Sequence, residues 1–531
     1  MEKQRITVEK KKTEQGVIQL SEILYLCFWS LMLFAKGIGL YDGQTAYKLI
    51  LIAAVVAWTG KMCLTAYTKK EFIIVVLLLL LGAITYLVSG EKGALIYILM
   101  VTGLKNVSVK RVFITGAWVW TISFVGMALL NMAHIIDGPF KVHEKLGMDM
   151  IIRWGLGQSH PNVLHISYLV FVMLLVYLQG ERFGLKAAMG FMLGNILVFL
   201  FSLSSTGVIT VTFYLAICLY MHYRKKMNRP EQFLVKLIFP IILLYSFAAP
   251  LVLKGELYER INDLSNTRLN LAKYFLTLKA PTVFGNKISE IITSQLTMDN
   301  SYVNAYVTYG ILFAAAAFGG YFVLIRNCCR KDKNNELTII LACLVAGIME
   351  PFLFNTSFKN ISLLFAGELL YTQGKEETLK FFSGMDKEIS LRITHINKVE
   401  EAFCSFLKKS GYRIAGVCLL FALIGGTGYY VLKEEPTAVI VPRKDIDVAV
   451  LKKHPELESV YLDSVHDEVK KDAVVYGYQD EQTEMIICLS KNLITMEKYR
   501  GTVTAAVITG LAAFMGVIIG NGMKEKRNKW K

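Results

Sequence analysis

Residues 69–88 read Lys-Lys-Glu-Phe-Ile-Ile-Val-Val-Leu-Leu-Leu-Leu-Leu-Gly-Ala-Ile-Thr-Tyr-Leu-Val, two lysines and one glutamate followed by an uninterrupted apolar run. At about 1.5 Å per residue, such a run carries an α-helix across most of the roughly 30 Å of hydrocarbon in a bilayer. Similar runs recur on both sides of it, at about 18–40, 46–64, 93–106, 112–133, 162–179, 186–203, 206–222, 235–253, 303–325, 338–354, 359–373, 414–433 and 502–521. Of all residues, 54% are hydrophobic and the mean hydropathy is +0.45, more than a single water-soluble core requires. The chain therefore reads as an all-α integral membrane protein, with about twelve helices before residue 374 and two after it.

The formal net charge of +16 would suit nucleic acid if it formed a stripe, but the basic residues sit in short clusters between apolar runs. Short cytoplasmic loops are enriched in Lys and Arg. With the N-terminus inside, Lys69/Lys70, Lys110/Arg111, Arg182/Lys186, Arg224/Lys225/Lys226/Arg229, Arg326/Arg330/Lys331/Lys333, Lys408/Lys409/Arg413 and Lys524/Lys526/Arg527 all fall on the inner side. Three longer segments, about 134–161, 254–302 and 434–501, then face outward. The reading is a multi-pass protein of a bacterial cytoplasmic membrane with both termini inside. Residues 1–17 form a cytoplasmic segment, and the following apolar stretch meets no small-residue cleavage site, so it reads as a retained first helix.

The domains are predicted as 18–373, a polytopic bundle; 374–413, a cytoplasmic linker with apolar residues such as Leu379, Phe382 and Ile389 among charges, suited to the membrane surface or to solvent; and 414–531, two helices bracketing an extracytoplasmic insert at 434–501. Within the insert, AVIVP at 438–442, VVYGY at 474–478 and EMIICL at 484–489 read as strands, with a helical stretch around 447–470. The nine cysteines show neither metal-ligand spacing nor a disulfide framework, and Cys488 is expected to be exposed.

Polar chemistry concentrates in the outer segments. Arg153, Trp154, His160 and Asn162 precede a helix that begins at Pro161; the arginine fork suits a diphosphate, and equally Arg153 and Trp154 suit an interfacial anchor. Ser159 or His160 would cap that helix. Arg260, Arg268 and the run Asp299-Asn300-Ser301-Tyr302 form the second cluster. Asp299 reads either as a helix N-cap or as a general base. Lys36, Glu350 and Glu368 lie inside predicted spans, where an ionisable group costs at least about 2.5 kcal/mol; a Lys36–Glu350 pair is the simplest structural account. Pro351 follows Glu350 and should distort its helix. His134, His143, His160 and His165 are too irregularly spaced to suggest a metal site, and no Walker loop, GxSxG or HExxH occurs.

In the order and topology of its segments, the chain resembles the O-antigen polymerase (Wzy-type) and O-antigen ligase superfamily over about residues 18–373. The segments are Gly157-Gln158-Ser159-His160-Pro161-Asn162, Ser204-Ser205-Thr206-Gly207, Thr267-Arg268 followed by Phe284-Gly285, then Asp299-Asn300-Ser301-Tyr302 and Tyr309-Gly310-Ile311-Leu312. The resemblance implies a GT-C-type bundle and a metal-independent, inverting glycosyltransferase without a cofactor. It would take a glycan from undecaprenyl diphosphate on the outer leaflet to the hydroxyl of another lipid-linked unit. It further implies Arg153, His160, Asn162, Arg260, Arg268, Asn300 and Tyr302 as diphosphate- or substrate-binding residues, and Asp299 or Glu350 as the base. Ligases carry a motif similar to His-Asn-x-x-Leu where this chain has Asp299-Asn300-Ser301-Tyr302, which favours a polymerase for capsule or exopolysaccharide. The layout of 414–531 is similar to polysaccharide co-polymerases, the chain-length regulators. The implied partners are the lipid-linked oligosaccharide, the bilayer, and flippase and chain-length regulator proteins, with no nucleic acid. A ligase, or a lipid-linked oligosaccharide flippase using Lys36, Glu350 and Glu368 as an internal path, is the alternative.

Overall fold

The computed structural model describes residues 17–145, 148–288, 291, 297–371, 378–379, 382–390, 414, 416–476 and 483–529. Among them, ten helices are long and apolar enough to cross a membrane: Leu20–Gly37, Thr45–Leu64, Lys69–Ser89, Val109–Met132, Pro161–Arg182, Leu185–Ser202, Ser205–Arg224, Arg229–Val252, Ser301–Arg330 and Lys491–Val517. The protein is thus a multi-pass, predominantly α-helical membrane protein. Leu49, Ile52 and Val56 on the second of these helices, and Met189 and Leu193 on the sixth, are exposed, as lipid-facing residues should be, whereas Trp29, Tyr97, Trp120 and Tyr302 fill the interior. Capping boxes open two of the helices, Thr68 with Glu71 and Asn228 with Glu231.

Four predicted spans differ: 414–433 is the shorter apolar helix Gly416–Leu432, and three others are interrupted or irregular. The run 93–106 is helical only over Gly93–Thr102, and 338–354 is the helix Asn334–Ala346 followed by a turn and the 3-10 helix Pro351–Leu353. The run 359–373 contains a 3-10 helix, Ile361–Phe365, and the single turn Gly367–Leu370. Irregular backbone at this depth must be satisfied by protein, and buried side chains do so. Tyr97 Oη donates to Phe352 O at 3.1 Å and accepts from Asn360 N at 3.1 Å, while Asn360 Nδ2 donates to Tyr321 Oη and to Leu353 O, both at 2.8 Å. Glu368 lies outside the residues whose side chains are described.

The helix Ser301–Arg330 breaks at Gly310 (φ 89°), and the loop around Gly285 (φ 99°) is spliced into the break. Ile311 N donates to Thr282 O (3.0 Å), Leu312 N to Val283 O (3.2 Å) and Asn286 N to Thr308 O (3.2 Å), so the amides freed by the kink are met by the loop. Both positions need glycine. A Cβ on Gly285 would stand 2.0 Å from Thr308 O, and one on Gly310 would stand 2.4 Å from Gly285 N.

At one end of the bundle lie the basic turns, tied by Arg111–Glu22 (2.8 Å), by Lys105 with Glu71, and by Lys226–Asp332 (3.5 Å). Part of the expected linker docks there: Ser21 N and Oγ both donate to the Asp386 carboxylate at 2.9 Å. Lys408, Lys409 and Arg413 lie outside the described residues. The long segments gather at the opposite end. In the first of them, Phe140–Lys145 (β1) and Met148–Trp154 (β2) form an antiparallel hairpin, not anticipated from sequence, with Lys141 opposite Arg153.

The C-terminal insert folds on a four-stranded sheet of β3 (Ala438–Pro442), β4 (Ser459–Tyr461), β5 (Ala473–Val475) and β6 (Glu484–Cys488), in the order β4-β6-β3-β5, with β3 and β5 parallel. The expected helical stretch at 447–470 is instead two short helices, Val448–Lys453 and Asp467–Asp472, with β4 between them. Cys488 is buried in the sheet, contrary to the expected exposure, because the residue falls on the inward side of β6. The final helix runs Lys491–Lys529.

The insert is seated on the hairpin. Val142 bridges Ile446, Asp447 N donates to Val142 O (2.9 Å), Lys141 pairs with Asp445 (2.9 Å), and Trp154 Nε1 donates to Tyr476 Oη (3.0 Å). The Arg500 guanidinium covers the Trp154 ring at 5.2 Å, a cation–π contact.

Substituting Gly310→Ala is expected to cost roughly 2 kcal/mol or more, from left-handed backbone and the clash with the spliced loop. Gly319→Ala, on the same helix with nothing within 4 Å of the added carbon, should be neutral or slightly stabilising. Thermal unfolding of both in detergent checks the pair; equal midpoints would overturn the splice.

Candidate functional site

Where the hairpin, the start of the helix Arg268–Leu278, the start of Ser301–Arg330 and the end of Asn334–Ala346 converge, five polar residues named from the sequence come together: Arg153, Asn162, Arg268, Asp299 and Glu350. Each is delivered by a different local rule. Arg153 stands on β2, its Nε donating to Ser202 O (2.7 Å) and its Nη2 to Asn162 Oδ1 (2.6 Å). Asn162 is fixed because His160 caps its helix, accepting from Asn162 N at Nδ1 (3.1 Å), with Pro161 in the first turn. Arg268 follows two residues in left-handed backbone, Asn266 and Thr267, which turn the chain so that the guanidinium points back into the cluster.

Arg268 lies between two carboxylates. Its Nε is 3.4 Å from Asp299 Oδ2 and its Nη2 is 3.7 Å from Glu350 Oε1. These are charge contacts longer than good hydrogen bonds, and Arg268 Nε and Glu350 Oε1 are buried atoms without a hydrogen-bond partner.

Asn300, not Asp299, caps Ser301–Arg330: its Oδ1 accepts from Tyr302 N (2.9 Å) and Val303 N (3.1 Å), and its Nδ2 donates to Ser246 Oγ (3.0 Å). Asp299 is left to face Arg268. Ser301 holds Glu350 in place, because Ser301 N donates to Gly347 O (2.8 Å), Ser301 Oγ donates to Glu350 O (2.5 Å) and Leu353 N donates back to Ser301 Oγ (3.2 Å). Pro351 ends helical geometry here, and Glu350 is extended (φ −141°, ψ 137°), at the level of the helix ends.

Burial, reinforced by Asp299, pushes the Glu350 carboxyl up to about 7 against the pull of Arg268 and Arg153. Burial brings the Arg153 guanidinium down to about 10, Glu350 opposing and Arg268 adding to the effect. Lys359, not singled out from sequence, is buried behind Glu350. Its Nζ donates to Val163 O at 3.3 Å. Its signal was a lysine opening an apolar run that reads as a span.

Other candidates take different places. Arg260 is 72% exposed and pairs with Glu256 at 2.5 Å. Tyr302 is fully buried with its hydroxyl donating to Leu344 O (2.5 Å). Lys36 does not pair with Glu350: its ammonium donates to Leu40 O (3.2 Å) and sits 3.7 Å from the centre of the Tyr47 ring. The four histidines of the first long segment are dispersed, His143 against Asp447 (2.9 Å) and His165 between Ser202 and Asn195.

The arrangement offers a buried and a partly buried guanidinium to an anion and a carboxyl near neutrality to a proton. Compared with known proteins, the chain matches no family model, no curated protein and no solved structure.

Proposed function

We propose that the protein is a polysaccharide polymerase, transferring a glycan from undecaprenyl diphosphate to the hydroxyl of a second lipid-linked unit at the outer face of a bacterial cytoplasmic membrane. The observation that carries this reading is Arg268 held between Asp299 and Glu350 at the bundle mouth, beside Arg153. The basic turns at the opposite end support an orientation with that end in the cytoplasm. The GT-C likeness and the polymerase assignment rest on the sequence resemblance.

In this reading Arg153 and Arg268 bind the diphosphate. Glu350, buried and near neutral in its affinity for protons, accepts the proton of the acceptor hydroxyl as its oxygen attacks the anomeric carbon. The new glycosidic bond forms on the face opposite the breaking one, so configuration inverts. The electron pair of the broken bond leaves on the diphosphate oxygen, where the guanidiniums stabilise the growing charge. Asp299 orients Arg268 and, by like-charge repulsion, helps keep Glu350 basic.

Four outcomes are expected. With lipid-linked repeat units as sole substrate, the purified protein yields a ladder spaced by one repeat. Arg268→Ala lowers that elongation by about 100-fold or more at equal membrane abundance, while Arg260→Ala changes it little; an unaltered Arg268→Ala ladder, or a single transfer per acceptor, rejects the assignment. Because only the ionised carboxylate accepts a proton, the rate should climb about tenfold per pH unit below about 7 and level off above it. In Glu350→Gln this limb should vanish with a drop of about 100-fold or more. Finally, a cysteine replacing the exposed Glu259 should react with an impermeant maleimide in intact cells; reaction only after permeabilisation would place the site on the wrong side.

A further inference from the structure

Between the hairpin and the C-terminal insert lies a cavity of about 890 Å³, lined by Lys141, His143 and His160 on the bundle side and by Arg443, Lys444 and Lys452 on the other. Its position is set by the same strands that build the site. Lys141 stands directly across the hairpin from Arg153, so the two share a face. His160 caps the helix that carries Asn162, and Thr297, also in the wall, is two residues from Asp299. The cavity therefore opens beside the arginines of the proposed transfer centre.

Its volume falls in the range of about 300–1,000 Å³ typical of ligand sites, more than a diphosphate alone requires. Its chemistry is selective. Lys141 is matched by Asp445 (2.9 Å) and Arg443 by Glu484 (3.2 Å). The ammonium groups of Lys444 and Lys452 have no ion-pair partner among the described residues. Asp447, the other acid in the wall, is taken up by His143 Nδ1 (2.9 Å) and by Ala449 N (3.0 Å). That leaves His143 Nε2, a buried nitrogen with no partner. Burial and the Arg153 cation hold the imidazole below its usual range, and with Nδ1 engaged by Asp447 Nε2 is the acceptor of the ring. Among the described residues no Trp, Tyr or Phe lines the space, so the recognition they offer is by charge and hydroxyl contacts.

We propose that this seam is a glycan subsite that holds an acidic oligosaccharide, bearing carboxylate or phosphate, and delivers its terminal hydroxyl to Glu350. The role as acceptor site rests on the polymerase reading; the binding does not.

The test is equilibrium binding to the full chain in phosphatidylcholine nanodiscs of three probes: a galacturonic acid hexasaccharide, maltohexaose, and phosphorylated maltohexaose. At least one acidic probe should bind at least about tenfold tighter than maltohexaose and weaken as salt is raised. Which acidic probe binds identifies the anion. Lys444→Glu with Lys452→Glu, both on exposed positions that should not disturb the fold, should weaken that binding by about tenfold or more; Arg268→Ala should retain it. Binding of maltohexaose as tight as that of the acidic probes, or an unaffected double variant, overturns the proposal. Charge-selective binding without elongation would leave the subsite standing and remove the polymerase reading. Elongation without acidic-probe binding would remove the subsite alone.

Discussion

Burying Arg153 and most of Arg268 is tolerable only because Glu350 is buried with them and the half-buried Asp299 faces Arg268, and that mutual dependence organises the whole loop end of the bundle. Removing one partner of a buried charge pair typically costs about 3–5 kcal/mol. Each partner here arrives on a different segment: a hairpin strand, a helix first turn, the residue before a cap and the end of a broken helix. The charges thus tie four segments together at one point, and the short hydrogen bonds around them, from Ser301 to Glu350 O and from Arg153 to Ser202 O, fix where that point lies.

The spans were legible because lipid imposes a length and an apolar composition that any helix across it must meet, and the basic turns were legible because topology biases charge. What the hydropathy of residues 347–366 concealed was backbone that is apolar in composition yet not α-helical. Asn360 and Tyr97 supply the hydrogen bonds that a helix would have made for itself, and a sum over hydrophobicity cannot register one amide replacing a turn of helix. The same limit applies to Gly285 and Gly310. Both stand in segments that carry the family resemblance, yet only their meeting across the splice explains why both are needed.

Of the proposed site, the residue types were legible and their partnerships were not. Asp299 and Asn300 are both competent caps; the choice falls to Asn300 because Ser301 N is already engaged with Gly347 O and Asn300 Nδ2 is held by Ser246. Arg260 and Arg268 looked equivalent, yet the helix Gly255–Leu264 carries the first toward solvent, while the left-handed pair Asn266 and Thr267 turns the second inward. The sequence suggested a division near residue 374, with an insert at 434–501. It did not foretell that the insert would sit on the hairpin through Phe140, Trp154 and Tyr476, contacts separated by more than half the chain.

The two central arginines are held differently, and the difference matters for chemistry. Arg153 makes hydrogen bonds of 2.6 and 2.7 Å and is 6% exposed, so its orientation is fixed before any ligand arrives. Arg268 has charge contacts of 3.4 and 3.7 Å and an unpartnered Nε, so it can close on an anion without first breaking a strong bond. A fixed cation lowers the reorganisation needed at the transition state, whereas an adjustable one can tighten as charge develops. The hairpin carries the fixed arginine and also bears the C-terminal insert, so the insert stabilises that end of the site through the strand that holds Arg153.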